Sequence, residues 1–263
     1  MSKKKKTEVK KTNWKTTDHR FVGFLDLLGF KEKVSRKNHD DIYNELSKIS
    51  SLKKEIENAS NEASEGYYSD ADIYIVSFSD SIVVFSKNDN YANFEFFLFA
   101  VRYLFSKAIS DKIAIKGGIA HGEISLNKSE QIYFGQAIID AYLIEEDVNY
   151  LGVVCHNSVD SYIENSSPSN ERLEILKGLI FENKTPLKCG KINHKNLDYF
   201  ALTINAKNKD EKEVQLEVEK ILEDYYPTVS GGARRYIDNT IDLFKSSIDT
   251  NLINLKALYP SKK

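Results

Sequence analysis

A chain of 263 residues with 41% hydrophobic content carries enough apolar mass for one medium-sized domain with a full core, which excludes an intrinsically disordered protein. The formal charge is −2, yet residues 1–15 hold seven lysines (Lys3, Lys4, Lys5, Lys6, Lys10, Lys11 and Lys15) against Glu8, so the remaining body is acidic. An acidic body excludes a DNA- or RNA-binding surface, because neutralising phosphates requires Lys and Arg clustered on the body itself.

In chain order, the lysine-rich start reads as a solvated, disordered basic tail over residues 1–18, ahead of a main domain over 19–205 and a helical extension over 206–263. Phe21 to Phe30 is an apolar run broken by Asp26 and closed around Gly29, the pattern of a buried strand and turn. Lys31 to about Ala63 has helical spacing (Val34, Ile42, Leu46, Ile49, Leu52, Ile56) and predicts one long amphipathic helix. IYIVSF and SIVVFS, from Ile73 to Ser86, meet at Ser79-Asp80-Ser81 and predict a hairpin. Tyr91 to Ser110 predicts a helix; its Phe94–Leu104 run is too short and too interrupted, by Glu95 and Arg102, to span a membrane. Ala114 to Ile124 and Ile132 to Phe134 read as strands, Gln136 to about Asp147 as a helix, and Leu151 to Cys155 as a strand. Beyond Ser158 the pattern weakens: Ser166 to Asn170 is loop-like, Leu187 to Ile204 holds one or two strands, and Lys209 to Asp224 is a charged helix. Pro227 to Gly232 breaks the chain before a helix from Arg234 to about Leu258. Strands alternating with helices around a central hairpin predict an α+β fold with a mixed sheet. Cys155 and Cys189 lack metal-ligand spacing and no signal segment precedes them, so the expected location is cytoplasmic.

Two carboxylates carry the chemistry. Asp26 ends an apolar strand, where a charge is costly without a cation or hydrogen bonds, although it also suits a cap of the turn or of the following helix. Asp80 sits at a hairpin tip, where Asp is common for local reasons. Together they place two carboxylates at one sheet edge, a site for Mg²⁺ or Mn²⁺, hard ions that also take substrate phosphates as ligands. His121 reads as a structural histidine, and Gly117-Gly118 has no continuation into a dinucleotide or P-loop motif.

FLDLLGF, SFSDSIVVF, IKGGIAHGEI and IYFGQAIIDAYLIEE occur in the order of the class III adenylate and guanylate cyclase core, which the chain resembles from about Phe21 to Val154. FSD in place of GD, a PLKCG…LDYF segment and a RRYIDNTIDLF helix make it most similar to the pyrimidine cyclases of the bacterial Pycsar anti-phage system. The resemblance implies a ferredoxin-like βαββαβ core with a mixed, mainly antiparallel sheet. It implies Asp26, Asp80 and the Leu27 carbonyl as ligands of two Mn²⁺ or Mg²⁺ ions. It places the β- and γ-phosphates on the backbone of Leu28, Gly29 and Phe30, with Lys116, otherwise a strand-end lysine, at a phosphate-binding position and Lys188 as a further contact. Purine-reading positions fall on Val76 and Ile132, neither able to hydrogen-bond a base, unless these are core positions; Tyr74 on the same strand face narrows the pocket. The positions of a ribose-orienting asparagine and a transition-state arginine fall on Ile139 and Leu143, with Arg102 as a candidate substitute. The implied function is a uridylate cyclase acting on UTP, or a cytidylate cyclase acting on CTP, as a head-to-tail homodimer with no membrane insertion. Its product would act on a separately encoded effector in antiviral defence. The alternatives are a CTP-specific or purine cyclase, or an inactive nucleotide-binding dimerisation module.

Overall fold

The computed structural model describes residues 13–62, 66–204, 209–253 and 255. Along the chain come β1 (Thr17–Leu27), α1 (Phe30–Arg36), α2 (His39–Glu62), β2 (Ile73–Phe78), β3 (Ser81–Ser86), α3 (Tyr91–Ser110), β4 (Ile115–Asn127), β5 (Ile132–Phe134), α4 (Gln136–Asp147) and β6 (Val153–Cys155). Then follow α5 (Asn157–Asn165), α6 (Asn170–Lys177), β7 (Ile180–Leu187), β8 (Gly190–Leu197), α7 (Glu211–Glu223) and α8 (Arg234–Asp249). The strands form one sheet in the order β2-β3-β1-β4-β6-β8-β7, with β5 paired to β4 beside this path. Among the described residues only β4 and β6 run parallel; the other pairs are antiparallel. The expected α+β mixed sheet is therefore present.

Alternation along the strands sorts two faces. Phe21, Leu25 and Leu27 of β1, Ile73 and Ile75 of β2, and Ile82 and Val84 of β3 bury against Ile49, Leu52 and Ile56 of α2 and Phe94, Phe97 and Val101 of α3. The intervening residues Val22 and Phe85 meet Ala137 and Ala141 of α4 on the other face, with Phe24, Tyr74 and Val76 partly buried beside them. Val214, Val218 and Leu222 of α7 and Ile237, Ile241 and Phe244 of α8 join the first cluster, so both C-terminal helices share the core of the sheet. No helix among the described residues is long and apolar enough to cross a membrane. Both cysteines are free, Cys155 buried and Cys189 exposed.

Several expectations are corrected. The long helix is two, because Lys37 is extended and Asn38 accepts from the Asp41 N–H at 2.8 Å, capping a new start. The last helix stops at Asp249 rather than Leu258, which lies outside the described residues. Asn251 turns left-handed (φ 53), with its N–H on Ile248 O (2.9 Å) and that of Leu252 on Ser247 O (2.8 Å), a Schellman termination. α5, α6 and β7 lie where no element was expected. β7 carries Pro186, tolerated because the strand is at the sheet edge.

Residues 1–12 of the expected tail lie outside the described residues, but Trp14 to Asp18 are built onto the sheet. Trp14 Nε1 donates to Asp72 at 2.8 Å, Leu126 N donates to Thr16 O at 2.7 Å, and the buried Arg20 guanidinium donates to Lys15 O. The Lys128 ammonium stands 3.6 Å from the Trp14 ring centroid, and burial pushes its pKa down to about 8.

Candidate active site

The site lies where β1 runs out. β3 pairs with β1 so that Asp26 faces Ser81, and β4 so that Asp26 faces Lys116. The hairpin turns through Ser79, in the left-handed region (φ 57), and Asp80, whose carbonyl accepts the Leu27 N–H at 3.0 Å. That bond locks the hairpin tip against the end of β1 and brings Asp80 to the edge that carries Asp26. By alternation Asp26 points to the α4 face. Its pKa is pushed up to about 6, by burial first, then by Glu145 and Asp80, against the pull of Lys116. No described residue donates a hydrogen bond to its carboxylate.

A half-buried carboxylate without a donor is the chemistry that a cation corrects. Among the described residues no group of three His, Cys, Asp or Glu is placed to hold a metal by itself. Asp26 and Asp80 put two carboxylates at one edge, a pair that suits a hard ion completing its shell with water and phosphate oxygens.

The turn after β1, to which the resemblance assigns the β- and γ-phosphates, differs in detail from that expectation. The Leu28 N–H donates to Ala114 O at 2.8 Å, so it is already engaged. Gly29 is left-handed (φ 71), a conformation in which glycine costs least, and α1 starts immediately after it. Gly29 and Phe30 are left to offer backbone N–H groups.

Lys116 is buried, its ammonium 2.8 Å from Glu145 Oε1 and donating to the Glu145 carbonyl at 2.7 Å. It neutralises Glu145, a buried residue in the last turn of α4, rather than projecting a free charge. Burial raises the pKa of Glu145 against the opposing pull of Lys116. Sequence reasoning missed Glu145, though a signal exists: Ala137, Ala141 and Glu145 are four apart and form the buried stripe of α4.

α4 sits this close because of Gly118. A Cβ there would lie 2.4 Å from Ala141 O and 2.9 Å from Glu145 N. Gly118→Ala is expected to cost about 2 kcal/mol of stability through overpacking, measurable as a lower denaturation midpoint, and to displace Glu145 with its helix.

Of the residues expected at a base pocket, Tyr74 and Val76 share the α4 face. The Tyr74 hydroxyl hydrogen-bonds Tyr133 at 2.8 Å, and the Lys128 ammonium lies 4.6 Å from the Tyr74 ring centroid. Ile132 is exposed at the start of β5, opposite Asn127. Asp26 is opposite Lys116, so Ile132 and Asp26 flank opposite ends of a 13-residue strand, on the order of 40 Å of chain.

Arg102 is not at the site. It is buried in α3 with Nη2 3.6 Å from the buried Asp198, so its candidacy as a catalytic substitute is withdrawn. Arg102→Leu would strand a buried carboxylate and is expected to destabilise by about 3 kcal/mol, a loss that adding Asp198→Leu should largely reverse in the same denaturation measurement. His121 fits its structural reading, its Nε2 3.2 Å from Asp89, whose pKa it lowers.

No protein-family model and no curated protein sequence matches the chain. Solved structures do. The catalytic core of a rhodopsin-guanylyl cyclase with converted specificity, in complex with ATPαS, superposes with a TM-score of 0.50 at 14% identity, covering 69% of this chain and 96% of that one. The fold is that of a class III nucleotide cyclase catalytic domain. The guanylate cyclase domain of RhGC from Catenaria anguillulae in complex with GTP gives a TM-score of 0.46 at 13% identity, over 69% of this chain and 96% of that one. At 14% identity the likeness to the first of these is one of fold.

Proposed function

We propose that the chain is a divalent-metal-dependent nucleotide cyclase. It closes a pyrimidine ribonucleoside triphosphate, UTP ahead of CTP, into the 3′,5′-cyclic monophosphate and releases pyrophosphate. The observation that carries the reading is Asp26, a half-buried carboxylate without a donor among the described residues, held beside Asp80 at the sheet edge of a class III cyclase fold. Asp26, Asp80 and the Leu27 carbonyl would hold two Mn²⁺ or Mg²⁺ ions. When bound, such ions lower the pKa of the ribose 3′-hydroxyl and neutralise charge on the departing pyrophosphate. The Gly29 and Phe30 N–H groups orient the phosphate tail, as positioning is most of what phosphoryl transfer demands. The 3′-oxygen then attacks the α-phosphorus in line; the bond to the bridging oxygen breaks, and the hydroxyl proton leaves to water.

Pyrimidine preference rests on Val76 and Ile132, which offer a base no hydrogen bond, and on the Tyr74 ring beside Val76, which narrows the space. A head-to-tail homodimer, in which one copy supplies the metal edge and the other contributes to base recognition, is part of this reading. Ile139 and Leu143, one turn apart on α4 and 51% and 53% exposed, offer an apolar face for such a contact. In this reading the product is a messenger in anti-phage defence, sensed by a separately encoded effector.

An inactive nucleotide-binding dimerisation module is the second reading, favoured by the apolar Ile139 and Leu143. Incubating the protein with each NTP and Mn²⁺ separates the two. Cyclic UMP or CMP with equimolar pyrophosphate supports the cyclase; a cyclic purine product would keep the cyclase and overturn the pyrimidine assignment. No product from any NTP, with nucleotide binding retained, leaves the second reading standing.

A further inference from the structure

Lys116 is engaged with Glu145, and a metal-bound triphosphate beside Asp26, Asp80 and Glu145 still needs donors at its outer phosphates. The C-terminal part of the chain brings two candidate donors near this edge. The backbone N–H of Lys188, at the β7–β8 turn, donates to Asp147 O at 2.8 Å, which roots this exposed lysine over the end of α4 beside Glu145.

α8 is fixed to the same place. Asn239 Nδ2 donates to Asn149 O at 2.6 Å and Leu151 N donates to Thr240 Oγ1 at 2.8 Å, pinning the helix to the segment that follows α4. Tyr236 precedes these two residues by three and four positions and so shares their helix face, one turn nearer the site. There it lines a cavity of about 130 Å³ that Leu28 and Gly29 of the turn after β1 also line. Tyr236 is half-buried and its hydroxyl has no hydrogen-bond partner among the described residues, while the charges of Lys188, Glu145 and Asp26 all act on it. A half-buried tyrosine that lines this cavity while its hydroxyl is left unused is a donor awaiting an acceptor.

We propose that Tyr236 is a further substrate-positioning residue, donating its phenolic hydrogen to the terminal phosphates of the bound triphosphate alongside Lys188, so that α8 forms part of the active site. The inference rests on the cyclase reading for the identity of the substrate but not for the test of the contact. Tyr236→Phe keeps the ring and removes only the donor. With the full-length protein and Mn²⁺, KM for the NTP substrate should rise about tenfold, the effect of losing one hydrogen bond to a charged group, with kcat changed less than threefold and the melting temperature unchanged. Calorimetric titration with inorganic tripolyphosphate and Mn²⁺ should show a loss of affinity of the same size. KM and tripolyphosphate affinity both equal to wild type would overturn the proposal even with cyclase activity intact. If the wild type forms no cyclic product the cyclase reading falls, and the tripolyphosphate titration alone decides: weakened binding by Tyr236→Phe supports the contact, equal binding sinks it.

Discussion

Asp80→Asn is expected to reduce cyclic nucleotide formation by on the order of 10³-fold or more, with the fold retained. The turn survives because the Asp80 backbone carbonyl, not its side chain, accepts the Leu27 N–H, and asparagine is equally at home in a turn. What is lost is one of two carboxylates able to share a cation. Asp80 is also one of the charges that raise the Asp26 pKa, so the substitution moves that pKa back down, removing repulsion without restoring the second ligand. Product formation, thermal unfolding and Mn²⁺ titration on the same preparation separate these effects. A variant turning over within threefold of wild type would remove Asp80 from the chemistry and, with it, the argument for a metal-bridged edge.

The double substitution Ile139→Glu with Leu143→Glu is expected to yield a folded but monomeric protein whose activity falls by on the order of 10³-fold. Both side chains face outward from α4, so two carboxylates cost the isolated chain little. In a dimer packed through this face each would be a desolvated charge without a partner, a penalty of several kcal/mol per group. Sedimentation velocity gives the oligomeric state and the NTP assay the activity. A dimer that persists with full activity would place the interface elsewhere. A monomer with full activity would show that a single chain can read the base despite Ile132 and Asp26 lying at opposite ends of β4.

Much of the fold was legible because its first half obeys local rules. The hairpin was written in IYIVSF and SIVVFS around a Ser-Asp turn, and α3 appeared between the residues its periodicity indicated. The placement of Asp26 and Asp80 at one edge follows from that hairpin pairing with β1. What could not be read depends on contacts distant in sequence. Asn38 splits the long helix by a side-chain cap inside an otherwise helical pattern, and α5 begins at a His156 cap that composition does not advertise. β7 reads as polar, carries a proline, and becomes a strand only because β8 returns along it. Within the site, Lys116 looked free because the sequence does not show that α4 delivers Glu145 onto it, and Arg102 looked available because Asp198 lies far along the chain.

The docked segment around Trp14 has a practical consequence. Trp14 is the chain's single indole, and it lies against Lys128, Arg20 and Tyr74 on the strand face that carries the base-side residues. Its emission therefore reports on one place alone: a red shift signals that the N-terminal strap has lifted into water, and quenching on addition of a nucleotide signals that the neighbouring face has changed its occupancy. The protein carries a built-in optical probe, needing no label, at the margin of the surface where a base would be read.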